Sequence, residues 1–136
     1  MKNCTFCNLE KEEVILETEH CYVVLDKYPV AEGHLLVIPK EHFGSLIDIL
    51  DEIFLDILRT IKEMEKRMIE KMQVKGIDLL QHYRPFLKEG KLVKRHIHFH
   101  LIPRSFNDPI YQKKGSMDRK TLSKPDRENL TKLLAE

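Results

Sequence analysis

Two spacings of apolar residues run along this chain, and they divide it into helices and strands. In the middle, Ile53, Ile57, Ile61, Met64, Met68 and Met72 recur every three or four residues with Lys and Glu between them, the spacing of one helical face. Ser45 and Asp48 stand ahead of this run as a capping box, so a long helix is expected from Ser45 to about Gln73, ending before Gly76. Its Met-ended stripe reads as core or dimer packing. Upstream, the short apolar runs at 14–16 and Cys21–Leu25 (CYVVL) flank Glu19 and His20 and suggest a hairpin. Residues 28–33 (YPVAEG) carry turn formers, and 34–39 (HLLVIP) reads as a buried strand. Residues 77–80 (IDLL) are a fourth strand candidate, followed by a loop or irregular strand (YRPFLKEGKLVKR).

The period changes to two at RHIHFHLIPR, residues 95–104. On a strand, alternate side chains share a face, so His96, His98 and His100 stand together while Ile97, Phe99 and Leu101 point into a core. On a helix the three imidazoles would fan around the axis. Pro103, which has no N–H for a ladder, is expected to end the pattern. A polar, basic tail follows over 105–136, closing in a short helix capped by Ser123 and Asp126 with Pro125 in its first turn. The order of elements implies an α+β fold, a mainly antiparallel sheet with one long helix packed on it. No repeat, low-complexity tract or linker divides residues 1–136, so a single domain is expected.

Composition changes this picture only at its edges. The 136 residues are 42% hydrophobic and 33% charged, a globular balance. A formal net charge of +1 gives no bulk field for nucleic acid or a membrane surface. The start, MKNCTFCNLEKEE, has no apolar run, so neither a signal peptide nor a transmembrane segment is expected. Three cysteines without an export signal suggest a reduced, cytoplasmic setting rather than a disulfide framework.

Three histidines in register allow two chemistries. Same-face imidazoles can converge on one metal ion. Alternatively, a neutral imidazole can attack phosphorus while its neighbours donate hydrogen bonds to the phosphoryl oxygens. Unperturbed imidazole titrates near pH ~6.5, which leaves much of it nucleophilic at neutrality. Cys4-x-x-Cys7 is compatible with free thiols, a redox pair or half a zinc site. Cys21 reads as a small core residue, and His20 and His82 as surface or satisfied core histidines. The basic run at 113–120 could reach a polyphosphate, although such runs are usually solvated faces.

The stretch HIHFHLI resembles the histidine triad signature of the HIT superfamily at every position, and DKYPVAEGHLLVIPKEH, residues 26–42, is similar to that family's nucleotide-binding strand and turn. With the C-x-x-C start, the resemblance runs from about Cys4 to Arg104. It implies a small nucleotide substrate and hydrolysis or transfer of a nucleoside monophosphate through a nucleotidyl-histidine. The leaving group would be that of a phosphoramidate or a dinucleoside polyphosphate. By that resemblance His98 is the nucleophile, His100 and His34 act at the phosphate as donors or proton carriers, Asp26 binds the ribose hydroxyls and Gln81 contacts phosphate. It further implies a structural zinc held by Cys4, Cys7, His42 and His96, and a homodimer paired through the long helix and a sheet edge. One region departs. Many members carry Gly-Gln-Ser/Thr before the triad, whereas this chain has EGKLVKRH, with Val93 three residues before His96 and Lys91, Lys94 or Arg95 as substitutes by charge. Two other readings stand beside this one: a non-catalytic nucleotide-binding module, and a hydrolase centred on a metal held by the triad.

Overall fold

The computed structural model describes residues 3–88, 95–112 and 121–136. Gly90, Lys91, Val93 and Lys94, and the basic run at 113–120, lie outside the described residues. The described chain divides into two compact units, 1–105 and 106–136.

The first unit is an α+β layer pair. Five antiparallel strands, β1 (Val14–Glu17), β2 (Cys21–Leu25), β3 (Leu35–Pro39), β4 (Gly76–Leu80) and β5 (Phe99–Arg104), lie in the order β1-β2-β3-β5-β4. Helix α1 (Asp51–Met72) packs on one face. Its stripe of Ile53, Ile57, Ile61, Met64 and Met68 is buried against Cys21, Val23, Leu35, Val37, Ile97, Phe99 and Leu101, so the helical period found the core face correctly. Met72, the last of the stripe, is exposed. The other sheet face carries a smaller cluster, Val24, Leu36 and Ile38, packed against Phe6 and Leu9 from the N-terminal segment and Val14 of β1. Both faces of β2 and β3 are therefore apolar, which is why those strands read as continuous runs. In the second unit, α2 (Pro109–Gln112) is followed by α3 (Lys124–Ala135), whose Ser123 cap accepts from the Asp126 N–H at 3.2 Å, with Pro125 in the first turn as expected.

Three boundaries differ from the sequence reading. Ser45 does cap a helix, but only the single 3-10 turn Leu46–Asp48. Ile49 then turns extended and drops into the core, so α1 starts at Asp51. The ladder of β5 begins at Phe99, later than the histidine pattern. The β3–β5 register pairs Val37 with Phe99; continuing it would set Ile97 opposite Pro39, which has no N–H to give. Ile97 instead donates to the Phe43 carbonyl at 2.8 Å. At the other end β5 continues through Pro103 to Arg104. The β3 ladder has stopped by Leu101, so Pro103 needs no donor on that side.

Candidate active site and metal centre

The register of β3 and β5 builds the site. Leu36 pairs with His100, which puts His34, Leu36, His98 and His100 on the sheet face away from α1, since alternate residues share a face. Gly33 makes the turn into β3 with φ 88, a conformation that favours glycine, and a Cβ there would run into the Met72 side chain. The turn closes with the His34 N–H on the Ala31 carbonyl and the Asp26 N–H on the His34 carbonyl, at 3.1 and 2.9 Å. A cleft of roughly 360 Å³ opens on this face, with Phe6, Leu9, Val24 and Leu36 among its apolar walls and Asp26, His98 and His100 among its polar groups.

Hydrogen bonds fix the tautomer of each imidazole. His98 Nδ1 lies 2.9 Å from the His96 carbonyl oxygen. A carbonyl can only accept, so Nδ1 carries the hydrogen and the neutral ring keeps its lone pair on Nε2. The Val30 N–H donates to His34 Nδ1 at 3.1 Å, which leaves the His34 hydrogen on Nε2. That Nε2–H meets His100 Nδ1 at 2.9 Å and stands 3.4 Å from Asp26 Oδ2. His100 in turn has its own hydrogen on Nε2. Backbone amide, His34 and His100 thus form one directed chain ending at the cleft. Burial lowers His34 below its ordinary pKa, against the pull of Asp26. Burial, then the His98, His34 and His82 imidazoles around it, lower His100 to about 4. Asp26 also accepts from the Tyr28 N–H at 2.8 Å.

His96 serves a separate cluster. Its Nε2–H donates to the Pro39 carbonyl at 2.8 Å, turning the Nδ1 lone pair onto Cys4 Sγ at 3.3 Å, Cys7 Sγ at 3.4 Å and His42 Nδ1 at 3.1 Å. Cys7 Sγ also lies 3.3 Å from His42 Nδ1, and all four donor atoms are within 4.8 Å of one another. Burial holds the His96 ring neutral down to about 4, against the raising effect of the Pro39 carbonyl. Burial, then the Cys4 thiol, raise Cys7, so a cation taken up here displaces protons. Two thiols and two imidazoles are a donor set for zinc, whose tetrahedral bonds of about 2.0–2.3 Å set donors roughly 3.3–3.8 Å apart. The ring nitrogen not facing the cluster bonds a carbonyl, the outer contact that metal-binding histidines usually make. The residues fit a zinc ion.

An ion shared by all three triad histidines does not fit, because His96 Nδ1 faces the cysteines and His98 Nδ1 is tied to a carbonyl. A second group able to gather on an ion, Asp26, His34 and His100, has its His34 Nε2 lone pair already occupied by hydrogen. The alternating row is thus divided between two sites, one at the Cys4, Cys7 and His42 cluster and one facing the cleft.

The expected site residues fall unevenly. His34, Asp26, His98 and His100 come together, as do Cys4, Cys7, His42 and His96. Gln81 donates to the His82 carbonyl at 2.8 Å and is not among the cleft-lining residues. Arg95, a charge substitute by sequence, donates to the carbonyls of Gly44 and His82 at 2.7 and 2.8 Å. The sequence reading passed over Phe6 and Leu9, and took His82 for a surface or satisfied core histidine. His82 lines the cleft with its ring centroid 5.3 Å from that of His100. Only apolar residues beside the C-x-x-C pair hinted at the first two.

Comparison with known proteins agrees with this geometry. The family model described as the HIT domain matches residues 9–107. The adenosine 5′-monophosphoramidase of Saccharomyces cerevisiae is 37% identical over 108 residues, covering 74% of this chain, which spans 62% of that protein's length. The histidine triad nucleotide-binding protein from Candida albicans superposes with a TM-score of 0.73 at 27% identity, covering 97% of this chain and 94% of that one. The diadenosine triphosphate hydrolase of Plasmodium falciparum shares the fold, with a TM-score of 0.66 at 23% identity over 74% of this chain and 66% of that one.

Proposed function

The chain belongs to the HIT family, and on that premise we propose that it is a nucleotide hydrolase or transferase acting at the α-phosphate through His98. The observation that carries this reading is the hydrogen bond from His98 Nδ1 to the His96 carbonyl, which leaves Nε2 as a lone pair on a residue lining the cleft. Attack of Nε2 on the α-phosphorus forms the N–P bond and breaks the bond to the leaving phosphate, or to the leaving amine, which takes up a proton from solvent. The imidazolium created keeps its Nδ1–H on the carbonyl, which stabilises the charge. The His100 Nε2–H, backed by His34, donates toward the phosphoryl oxygens, while Asp26 accepts from the ribose hydroxyls. Water then attacks the same phosphorus and releases a proton to solvent, the N–P bond breaks with its electron pair returning to Nε2, and a nucleoside monophosphate leaves with His98 restored. The named activities of the relatives favour a phosphoramidate or a dinucleoside polyphosphate as substrate.

Zinc is the metal we assign to Cys4, Cys7, His42 and His96, where it supplies a crosslink between the N-terminal segment and the lead-in to β5. We further assign a homodimer formed through α1 and the β4 edge, supported by exposed Leu55, Leu58, Ile69 and Met72 on the helix and Leu79 and Leu80 on the strand. Reduced thiols in the cluster fit a cytoplasmic setting.

The test is His98→Ala beside the parent protein, with neutral quenching and peptide mass spectrometry. The parent should carry an added nucleoside monophosphate on the peptide containing His98, and the variant should bind nucleotide without turnover. Rapid turnover by His98→Ala overturns the assignment. Nucleotide binding with neither turnover nor adduct on any substrate would make the chain a binding module.

A further inference from the structure

The metal cluster reaches His98 by two routes. The first is backbone. His96, whose Nδ1 faces Cys4, Cys7 and His42, presents the carbonyl that accepts from His98 Nδ1. The second is a side chain. Phe6 stands between Cys4 and Cys7, and its ring centroid lies 5.0 Å from that of His98 at 66° and 5.9 Å from that of His96 at 88°. The loop carrying it is closed by the Asn8 N–H on the Thr5 carbonyl at 3.2 Å and by Asn8 Nδ2 on the Cys4 carbonyl at 2.7 Å. The ring also packs on the Val24, Leu36 and Ile38 cluster and lines the cleft.

Attack on phosphorus needs none of this metal chemistry, but it does need one ring orientation. A half-turn of the His98 ring about its bond to Cβ would set carbon against the His96 carbonyl and move the lone-pair nitrogen off line. One hydrogen bond resists that turn, and edge-on aromatic contacts with Phe6 and, at 4.8 Å and 67°, with His100 resist it further. We propose that Phe6 is a positioning residue for the nucleophile. The Cys4–Cys7–His42–His96 clamp acts on His98 through Phe6 and the His96 carbonyl, so that filling or emptying the cluster switches the His98 ring between one fixed orientation and several. This rests on the reading of His98 as nucleophile.

The experiment uses the full chain with zinc loaded, the same protein after chelation, and the loaded variants Phe6→Leu and Phe6→Tyr. Long-range proton–nitrogen correlation of the His98 ring reports its tautomer directly, without turnover. The loaded parent should give a single Nδ1–H signature, and the chelated protein, with its circular dichroism retained, a broadened or mixed one. Phe6→Leu should lower kcat roughly three- to tenfold with full zinc content, the size expected for losing one aromatic pair. Phe6→Tyr, which keeps the ring edge, should recover most of that loss. A single sharp Nδ1–H signature in chelated, folded protein overturns the coupling. So does a Phe6→Leu protein whose loss lies wholly in KM, since that marks Phe6 as a wall of the cleft alone. If chelation unfolds the chain, the ring signature and kcat of loaded Phe6→Leu decide. An active His98→Ala protein would remove the nucleophile while the ring signature still answered for the coupling.

Discussion

Protonating His100 should weaken the fold, and the size of the effect follows from its surroundings. Its ring is held to about 4 against an ordinary 6.5, chiefly by burial and then by the imidazoles of His98, His34 and His82. In the unfolded chain the same ring takes up its proton as the pH falls through about 6.5, whereas the folded ring waits until about 4. The unfolded state therefore binds more protons across that window. Stability is complete above about 6.5, falls with pH, and levels off below about 4. One proton of difference corresponds to about 1.4 kcal/mol per pH unit, so the slope near pH 5.5 should be about 1 kcal/mol per unit. His100 is only partly buried, and screening reduces the total to about 1–3 kcal/mol. Urea denaturation from about pH 7 to 5 measures it, with His100→Asn as the reference. The His34 Nε2–H meets His100 Nδ1 at 2.9 Å, so the His34 ring is followed by NMR in both proteins and its own titration is subtracted. The parent should lose stability more steeply than the variant by that slope, and the His100 ring should stay neutral by NMR above pH ~5. Parallel slopes, or a ring titrating at or above 6.5, would refute the reasoning. A protonated His100 would also lose its acceptor for the His34 Nε2–H, so the inner end of the donor chain would break with it.

The zinc assignment predicts about one zinc per chain, lost in a Cys4→Ser, Cys7→Ser protein together with a lower Tm; full metal content in that variant ends the assignment. Asp56 on α1 accepts from the Thr18 hydroxyl at 2.7 Å and the His20 N–H at 3.0 Å, so Asp56→Ala should cost about 1–3 kcal/mol in urea denaturation by taking the acceptor from the His20 N–H and leaving the Thr18 hydroxyl only the Cys21 carbonyl at 3.5 Å. An unchanged midpoint would show that the β1–β2 turn does not depend on α1. Light scattering at micromolar concentration should give a dimer, and Leu58→Glu with Ile69→Glu a folded monomer. A monomeric parent removes the dimer and leaves the chemistry at His98 untouched.

The periods of the sequence were informative wherever one face met one environment. The three- and four-residue stripe of α1 meets only the sheet, and its buried members lie in the core down to Met68. The boundaries were harder because local chemistry overrode the pattern. Ser45 capped the nearest turn rather than the longest helix, and Pro39 ended the β5 ladder from across the sheet, far away in sequence. The cleft walls were not legible. Val24 and Leu36 belong to strands apolar on both faces, and nothing in CYVVL or LLVI tells which residues face α1 and which the N-terminal segment.

The histidine row marks the limit most sharply. A period of two places His96, His98 and His100 alike, and residue identity distinguishes none of them. What separates them is three backbone partners: the Pro39 carbonyl on His96 Nε2, the His96 carbonyl on His98 Nδ1, and the Val30 N–H acting on His100 through His34. Two of these come from other strands or turns, and the third exists because the chain leaves the ladder before Phe99. Phe99 and Leu101 are the residues of β5 that bond toward β3, so the next bonded pair of that ladder would have been Ile97 with Pro39. Pro39 prevents that pairing with its missing N–H, and its own carbonyl fixes the tautomer of His96. A single proline on the neighbouring strand thus acts on both His96, the proposed metal ligand, and the lead-in to His98, the proposed nucleophile two residues away, and Pro39→Ala should be felt at both sites.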